Sequence, residues 1–471
     1  MNLRTFFKLA LVNIFSNLLV PLAGLLDVAF LGHLADIKHL AGVSLATVLF
    51  NYIYWTFGFL RMGTTGMTAQ AVGRGDRTTI NLIALRHGLV ALVIGLGILL
   101  LQQPLRAIGF TLLSATPEVK EAGRAFYNAM IWGAPATLLN FVLLGWFLGR
   151  GQSGKVLLLS LVNNVTSIGL DYLFVVRWHW QSTGAGAATA ASQYFMLLAG
   201  VLFVLAEQWR SKEIGTWGDG EARNRGDDDL PVTHPPIHSS THPPIRLSTH
   251  SLIKQILDPT ALQSMFQLNR EIVIRTFVLV STFSLFTNLS STMGAVTLTT
   301  NAVLLQVVTA SAYFIDGFAF ATESFAGMLQ GRGATQDLLQ LVKVSGICSF
   351  VLGMGIAIAF NLFPMPLFGL LTNHQVILDR IPQYVLWLFP VLGFGSIAYM
   401  LDGYFLGLTQ GKILRQSSLV ATLIGFLPGA IVAGYLNSSQ LLWFALTLFM
   451  AARVVTLASQ VRKTLARPIE S

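Results

Sequence analysis

Asp27 is the one charge inside the first long apolar stretch of this sequence, Leu9 to Leu34. A carboxylate that deep in a bilayer is costly, so it is expected to face a bundle interior or a water cavity and to act there on ions or protons. Pro21, on the same stretch, has no amide proton for the carbonyl of Asn17, so this helix should flex or hydrate near its middle. A second acid, Asp171, follows Asn164 and Ser167 at spacings of seven and four, which puts the three on one helical face. With a hydroxyl from Thr189, such a face suits a proton relay or a small hard cation. Polar glue between helices accounts equally well for Asn164, Ser167 and Thr189, but glue rarely needs a charge, so the two aspartates point to function. Asp316 and Glu323 share a second face, roughly 10 Å apart along its axis. Asp402 lies nearer the centre of its own stretch, and Arg61 reads as the one clear intramembrane cation, available to pair with Glu323. These four are candidates for substrate contact or gating.

The elements that hold these residues must be membrane spans. The chain has 471 residues, 54% hydrophobic and 11% charged, with a mean hydropathy of +0.65, whereas soluble domains carry roughly 25% charged residues. The single cysteine, Cys348, excludes a disulfide scaffold and any multi-cysteine metal site. The net charge of +9 is spread through the loops, which speaks of membrane topology and not of nucleic acid. Met1 to Lys8 is a short basic lead, but the apolar run behind it is too long for a cleaved signal.

A span needs about 20 apolar residues. The sequence offers twelve, at 9–34, 40–72, 80–103, 122–148, 156–177, 184–206, 272–293, 298–328, 340–363, 381–407, 414–436 and 440–461. The runs at 40–72 and 298–328 exceed what a bilayer requires and should tilt or protrude. Lys and Arg concentrate in alternate loops (Arg74, Arg77; Arg150, Lys155; Arg332, Lys343; Lys412, Arg415) and at both termini, so both termini are expected in the cytoplasm. Between spans six and seven the composition shifts to Thr233-His-Pro-Pro-Ile and again Thr241-His-Pro-Pro-Ile, a low-complexity linker. Its prolines break any regular ligand spacing for His234, His238, His242 and His250, so a tolerated insertion is preferred to a metal site. The expected organisation is an N-lobe at 1–206, a cytoplasmic linker at 207–268 and a C-lobe at 269–471.

The two lobes repeat one another. Gly73-Arg-Gly closes span two and Gly331-Arg-Gly closes span eight (331 − 73 = 258), and Gly145-Trp-Phe-Leu-Gly and Gly403-Tyr-Phe-Leu-Gly close spans four and ten at the same offset. Six spans is an even number, so the halves share an orientation and relate by an axis along the membrane normal, as in carriers that rock two halves about a central site. The acids do not follow the repeat: Asp27 corresponds to Leu285, Asp316 to Gly58, Glu323 to Thr65 and Asp402 to Leu144. One scaffold therefore carries two chemistries, suggesting an ion site in one lobe and a substrate-facing site in the other. The fold class is all-α: a polytopic membrane protein with twelve transmembrane helices in two pseudo-symmetric six-helix lobes.

Pro21-Leu-Ala-Gly-Leu-Leu-Asp-Val-Ala-Phe-Leu-Gly-His, Gly58-Phe-Leu-Arg-Met-Gly-Thr-Thr-Gly-Met-Thr-Ala-Gln, Leu143-Leu-Gly-Trp-Phe-Leu-Gly, Gly169-Leu-Asp-Tyr-Leu-Phe, Ala312-Tyr-Phe-Ile-Asp-Gly-Phe-Ala-Phe-Ala and Leu401-Asp-Gly-Tyr-Phe-Leu-Gly together resemble the multidrug and toxic compound extrusion (MATE) transporters, in their DinF-like branch. The resemblance covers nearly all of the chain except about 210–250. It implies cation-coupled export of organic compounds, cationic or amphipathic, by alternating access of two lobes. It also implies that Asp27 and Asp171 carry the N-lobe ion site, that Thr189 and Asn140 match a family threonine and asparagine, and that Asp402 is the carboxylate often found in span ten. Two residues depart from the pattern. Ser167 stands where the family usually has asparagine, which removes an amide oxygen suited to Na⁺ and favours H⁺. Val12 stands where the family often has a proline, which leaves Pro21 as the flex point. No cofactor, enzymatic activity or nucleic-acid partner is implied; a monomer in the plasma (inner) membrane of a prokaryote is expected.

Three other classes fit less well. A major-facilitator carrier would show a charged Gly-Arg-rich loop after span two, of which Gly73-Arg-Gly-Asp-Arg is a faint echo. A flippase for lipid-linked precursors would line its cavity with more cations than Arg61. An intramembrane aspartyl protease needs Gly-x-Gly-Asp, and here Leu170 precedes Asp171.

Overall fold

A computed structural model of the chain describes the backbone of residues 2–32, 37–113, 115–222, 249–372 and 374–465, and the side chains of these apart from 20–32, 37, 112, 210–222 and 249–252. Span one is helix α1 (Leu3–Gly32). Span two is α2 (Ile37–Thr56) and α3 (Phe59–Arg74), broken at Phe57-Gly58; span three is α4 (Arg77–Leu100), with the short α5 (Gln102–Leu112) after it. Span four joins α6 (Pro117–Met130) to α7 (Ala134–Gly149) through one tight turn at Ile131–Gly133, beside Pro135. Span five is α8 (Ser153–Asp171) and a wide π-helical turn at Tyr172–Arg177, and span six is α9 (Gln181–Ala222). After α10 (Thr249–Ile256), span seven is α11 (Pro259–Thr292), span eight α12 (Ala295–Arg332) and span nine α13 (Thr335–Leu362). Two short helices, α14 (Pro364–Gly369) and α15 (Gln375–Leu378), lead to span ten, α16 (Leu388–Gly407). Span eleven is α17 (Gly411–Val420), a π-helical turn at Ala421–Phe426 and α18 (Leu427–Tyr435); span twelve is α19 (Ser439–Leu465). Eleven stretches of the described residues are long and apolar enough to cross a membrane, and α1, with 30 residues, supplies the span read at 9–34.

α9 runs on to Ala222, and span seven begins at Pro259, inside the segment read as linker up to 268. The physical reason is a helix start that hydropathy does not see. Asp258 accepts from the Thr260 amide at 3.1 Å, and Pro259 occupies the first helical turn, where its missing N–H costs nothing. The linker histidines His234, His238 and His242 lie outside the described residues, as does the side chain of His250. α12 has 38 residues, about 57 Å at 1.5 Å per residue, well beyond a hydrocarbon core of about 30 Å.

The 258-residue repeat of the sequence is also a repeat of the backbone. Gly75 and Gly333 cap spans two and eight at φ 73° and 74°. Gly151 and Thr409, at the same offset, have φ 69° and 54°, and His179 and Asn437 have φ 56° and 49°. Left-handed backbone costs a non-glycine residue energy, so its recurrence at matching loop positions marks the same connection built twice.

Helices before residue 210 pack mainly on one another, through pairs such as α8 with α9 and α3 with α7, and those after 253 do likewise, through α12 with α16 and α16 with α19. The two bundles meet along α12, which packs on both α3 and α1. Within the bundles, Gly145 and Gly149 of α7 lie against the carbonyls of Arg61 and Thr65 of α3, and Gly403 and Gly407 of α16 against those of Ala319 and Glu323 of α12, the same contacts in the two halves; across the seam, Gly66 lies against the Leu406 carbonyl and Gly331 against that of Gln70. Ser324 Oγ donates to the Leu148 carbonyl at 2.7 Å and Gln70 Nε2 to the Gly407 carbonyl at 3.1 Å. The contacts across the seam lie toward the end that carries Arg74 and Arg332.

Candidate functional site

α1 touches both bundles. Its first half enters the C-terminal core: Phe6, Leu9 and Ala10 pack with Ile272, Ala321 and Tyr404, and Asn17 Nδ2 donates to the Tyr313 carbonyl of α12 at 3.2 Å. On the other side, Ser16 Oγ lies 2.9 Å from Ser160 Oγ of α8. Asp27 and Pro21 belong to this helix, and their side chains lie outside the described residues.

α8 carries the rest of the first candidate group. Asn164, Ser167 and Asp171 are all buried, as their shared face requires, and Asp171 is only 2% exposed. Ser167 Oγ donates to Asp171 Oδ2 at 3.4 Å, and Asn164 Nδ2 donates to the Ser160 carbonyl at 2.9 Å. Asp171 is the last α-helical residue before the π-helical turn at Tyr172–Arg177, a local widening that is frequent at functional sites. On α9, Thr189 Oγ1 donates to the Ala185 carbonyl at 3.0 Å, which leaves its lone pairs available. On α7, Asn140 Nδ2 donates to the Gln193 carbonyl at 2.8 Å, while its Oδ1 is buried with no partner among the described residues. Asn13 on α1, which the sequence reading passed over, is buried with both polar atoms of its amide lacking a partner among the described residues. The only signal for it in the sequence is an amide inside span one, a residue type that commonly serves as interhelical glue.

The second group is assembled differently from the reading. Asp402 Oδ2 accepts from both Arg275 Nη2 on α11 and Arg453 Nη2 on α19. Arg453 is fully buried and its guanidinium lies 5.4 Å from the Tyr399 ring centre. Arg61 is therefore not the one intramembrane cation. Arg275 lies midway along α11 and Arg453 midway along α19, and both turn inward to a shared carboxylate. Glu323 on α12 is fully buried, both its oxygens lack a hydrogen bond among the described residues, and Arg61 Nη1 stands 3.8 Å away. Arg61 lies over the Phe320 ring at 4.2 Å. Asp316 is half-buried and within electrostatic reach of Arg61, Arg275 and Arg453. Three guanidiniums thus face three carboxylates: Asp402 is committed to two of them, Glu323 faces Arg61, and Asp316 remains the most accessible acid.

Comparison with known proteins follows the same lines. The MatE family model matches residues 13–173. DNA damage-inducible protein F of Escherichia coli (strain K12) is 31% identical over 466 residues, 98% of this chain and 92% of that protein. A probable multidrug resistance protein NorM of Thermotoga maritima is 23% identical over 387 residues, 81% of this chain and 75% of that one. Among solved structures, an outward-facing multidrug resistance MATE family transporter of the MOP superfamily superposes with a TM-score of 0.79 at 18% identity, covering 98% of this chain and 96% of that one. A MOP superfamily transporter from Pyrococcus furiosus, described as having a binding pocket of reverse polarity, gives 0.78 at 18%, covering 98% and 95%. At that identity the structures speak for the fold, and the near-full-length relative speaks for descent: the chain belongs to the multidrug and toxic compound extrusion (MATE) family of membrane transporters.

Proposed function

We propose that this chain is an H⁺-coupled antiporter that exports organic cations or amphipathic compounds, with Asp27 and Asp171 as the coupling pair. The observation that carries the reading is the position of α1, which bears Asp27, is bonded to α8 of the N-lobe through Ser16 and Ser160, and is bonded to α12 of the C-lobe through Asn17. A helix so placed transmits a change at its acid to both lobes. Charge is costly in a water-poor cavity, so a carboxylate pair there takes up a proton when closed off and yields it when rewetted. The protonated and free states then favour different packings of α1, and the lobes exchange access. The glycine seam near Arg74 and Arg332 supports an arrangement closed at that end, cytoplasmic by the Lys and Arg distribution, and parted at the other. Asn140 Oδ1 and Thr189 complete the polar wall of the N-lobe site. In the C-lobe, Asp316 is the acid available to a substrate cation, since Asp402 is already neutralised.

The test is transport in proteoliposomes with ΔpH and a Na⁺ gradient imposed separately. ΔpH alone is expected to drive export, and Asp27→Asn, fixed in a neutral form, is expected to abolish it at normal protein level. Export on a Na⁺ gradient with pH clamped would assign the site to Na⁺ instead.

A further inference from the structure

A cavity of about 700 Å³ opens on the N-lobe at the end that carries Arg74, away from α1 and the charged cluster of the C-lobe. Its polar lining is Arg77, Asn81, Arg150, Gln152, Glu207 and Gln208. A second cavity of about 680 Å³ shares Glu207 with it and is walled by Lys155, Leu202, Leu205 and Trp209. The pair combines a cationic pocket with an apolar shelf. Three cations, Arg77, Arg150 and Lys155, face one acid.

That acid organises the pocket without neutralising it. Glu207 accepts from Arg150 Nη1 at 2.7 Å, from Lys155 Nζ and from Gln152 Nε2 at 2.9 Å. The Arg150 guanidinium is further held 4.2 Å over the Trp146 ring. Arg77 is exposed. Gln152 Oε1 is buried with no partner among the described residues, an acceptor suited to a hydroxyl. α8 starts here with no side-chain cap, so its N-terminus adds partial positive charge. The shelf is unusually bare: Trp209 is 73% exposed, Leu202 54% and Leu205 46%.

We propose that the two cavities hold one anionic phospholipid, its phosphate against Arg77, Arg150 and Lys155, its headgroup hydroxyl on Gln152 and its acyl chains along Leu202, Leu205 and Trp209. Basic pockets between spans are the usual sites for acidic headgroups, and an interfacial tryptophan marks the depth. A soluble phosphate would use the cations and leave the shelf unused.

The probe is phosphatidylglycerol added to the purified full-length protein in a neutral detergent, with phosphatidylcholine and inorganic phosphate as parallel arms. Phosphatidylglycerol is expected to raise the melting temperature by about 2–4 °C and to give adducts that survive in native mass spectrometry. The other two arms are expected to do neither. Arg77→Gln with Lys155→Gln should remove most of the shift; should the double variant insert poorly, Arg77→Gln alone, at an exposed position, should at least halve it. Equal stabilisation by phosphatidylcholine, a full effect from phosphate alone, or a shift that persists in the variants would overturn the proposal.

Discussion

Gly73 and Gly331 occupy equivalent places in the two halves, and each fills the space the other's side chain would need. A Cβ on Gly73 would stand 2.8 Å from Gly331 Cα, and one on Gly331 would stand 3.0 Å from Gly73 Cα. The pseudo-twofold axis runs between them, so α3 and α12 meet backbone to backbone at the closed end of the seam. Gly73→Leu or Gly331→Leu is expected to force the helices apart, at a cost of about 1–3 kcal/mol to this packing. Cysteine accessibility near Gln70 should rise in both variants and transport should fall. An unchanged labelling rate would show that the seam is not the closed gate.

Asp402 anchors two buried arginines, so its removal is predicted to be worse than the loss of either partner. Breaking one buried pair costs about 3–5 kcal/mol. Asp402→Asn strands both Arg275 and Arg453, whereas Arg453→Met leaves Arg275 with its carboxylate. Thermal unfolding in detergent should rank Asp402→Asn below Arg453→Met, and Asp402→Asn with Arg453→Met should recover part of the loss. The reverse ranking would mean that the arginines find other acceptors.

Ser167 lies 3.4 Å from Asp171 Oδ2 and is the one departure from the family pattern on this face. Ser167→Asn supplies an amide oxygen at the same place. Export driven by a Na⁺ gradient is expected to be negligible in the parent and to appear in the variant. If Ser167→Asn remains indifferent to Na⁺, ion choice is set elsewhere, and Asn140 Oδ1 is the next residue to test.

Asp76 caps α4: Oδ1 accepts from the Thr79 amide at 2.9 Å and Oδ2 from the Thr79 hydroxyl at 2.5 Å. Those bonds favour the ionised form and hold this carboxyl below the usual carboxylate range. A depressed folded-state value contributes stability that is complete above the unfolded value, about 3.9, and is lost as pH falls through the lower folded one. Asp76→Ala is expected to cost about 1 kcal/mol near neutral pH. The difference from the parent should shrink below about pH 4. A deficit that stays constant into acid would remove the cap as its cause.

Arg86 donates to the Gln255 and Ile256 carbonyls, at 2.7 Å from Nη2 and 3.3 Å from Nε, and so ties the end of α10 to α4. Deleting 223–248 is predicted to leave export intact, because that stretch is low in complexity and lies outside the repeat. A deletion carried through Ile256 should lower the melting temperature, and Arg86→Ala in the parent should reproduce that drop.

Much of this protein was written in its linear order. Apolar runs declare spans because a bilayer leaves the backbone no partner but itself, and a 258-residue register declares two halves because equal helix lengths need equal patterns. The shared face of Asn164, Ser167 and Asp171 followed from helical spacing alone. Polar contacts between distant spans are another matter. That Asp402 belongs to Arg275 and Arg453, and that Ser16 meets Ser160, depends on which helices lie side by side and how they are rotated. An arginine on an apolar run carries no mark of its partner: helical spacing sets its face, and the neighbouring helix decides which carboxylate it meets. Hydropathy also cannot locate the start of α11, which rests on the Thr260 amide and hydroxyl both donating to Asp258. Local spacing fixes what each helix can present, and only packing, through distance and burial, decides which charge neutralises which.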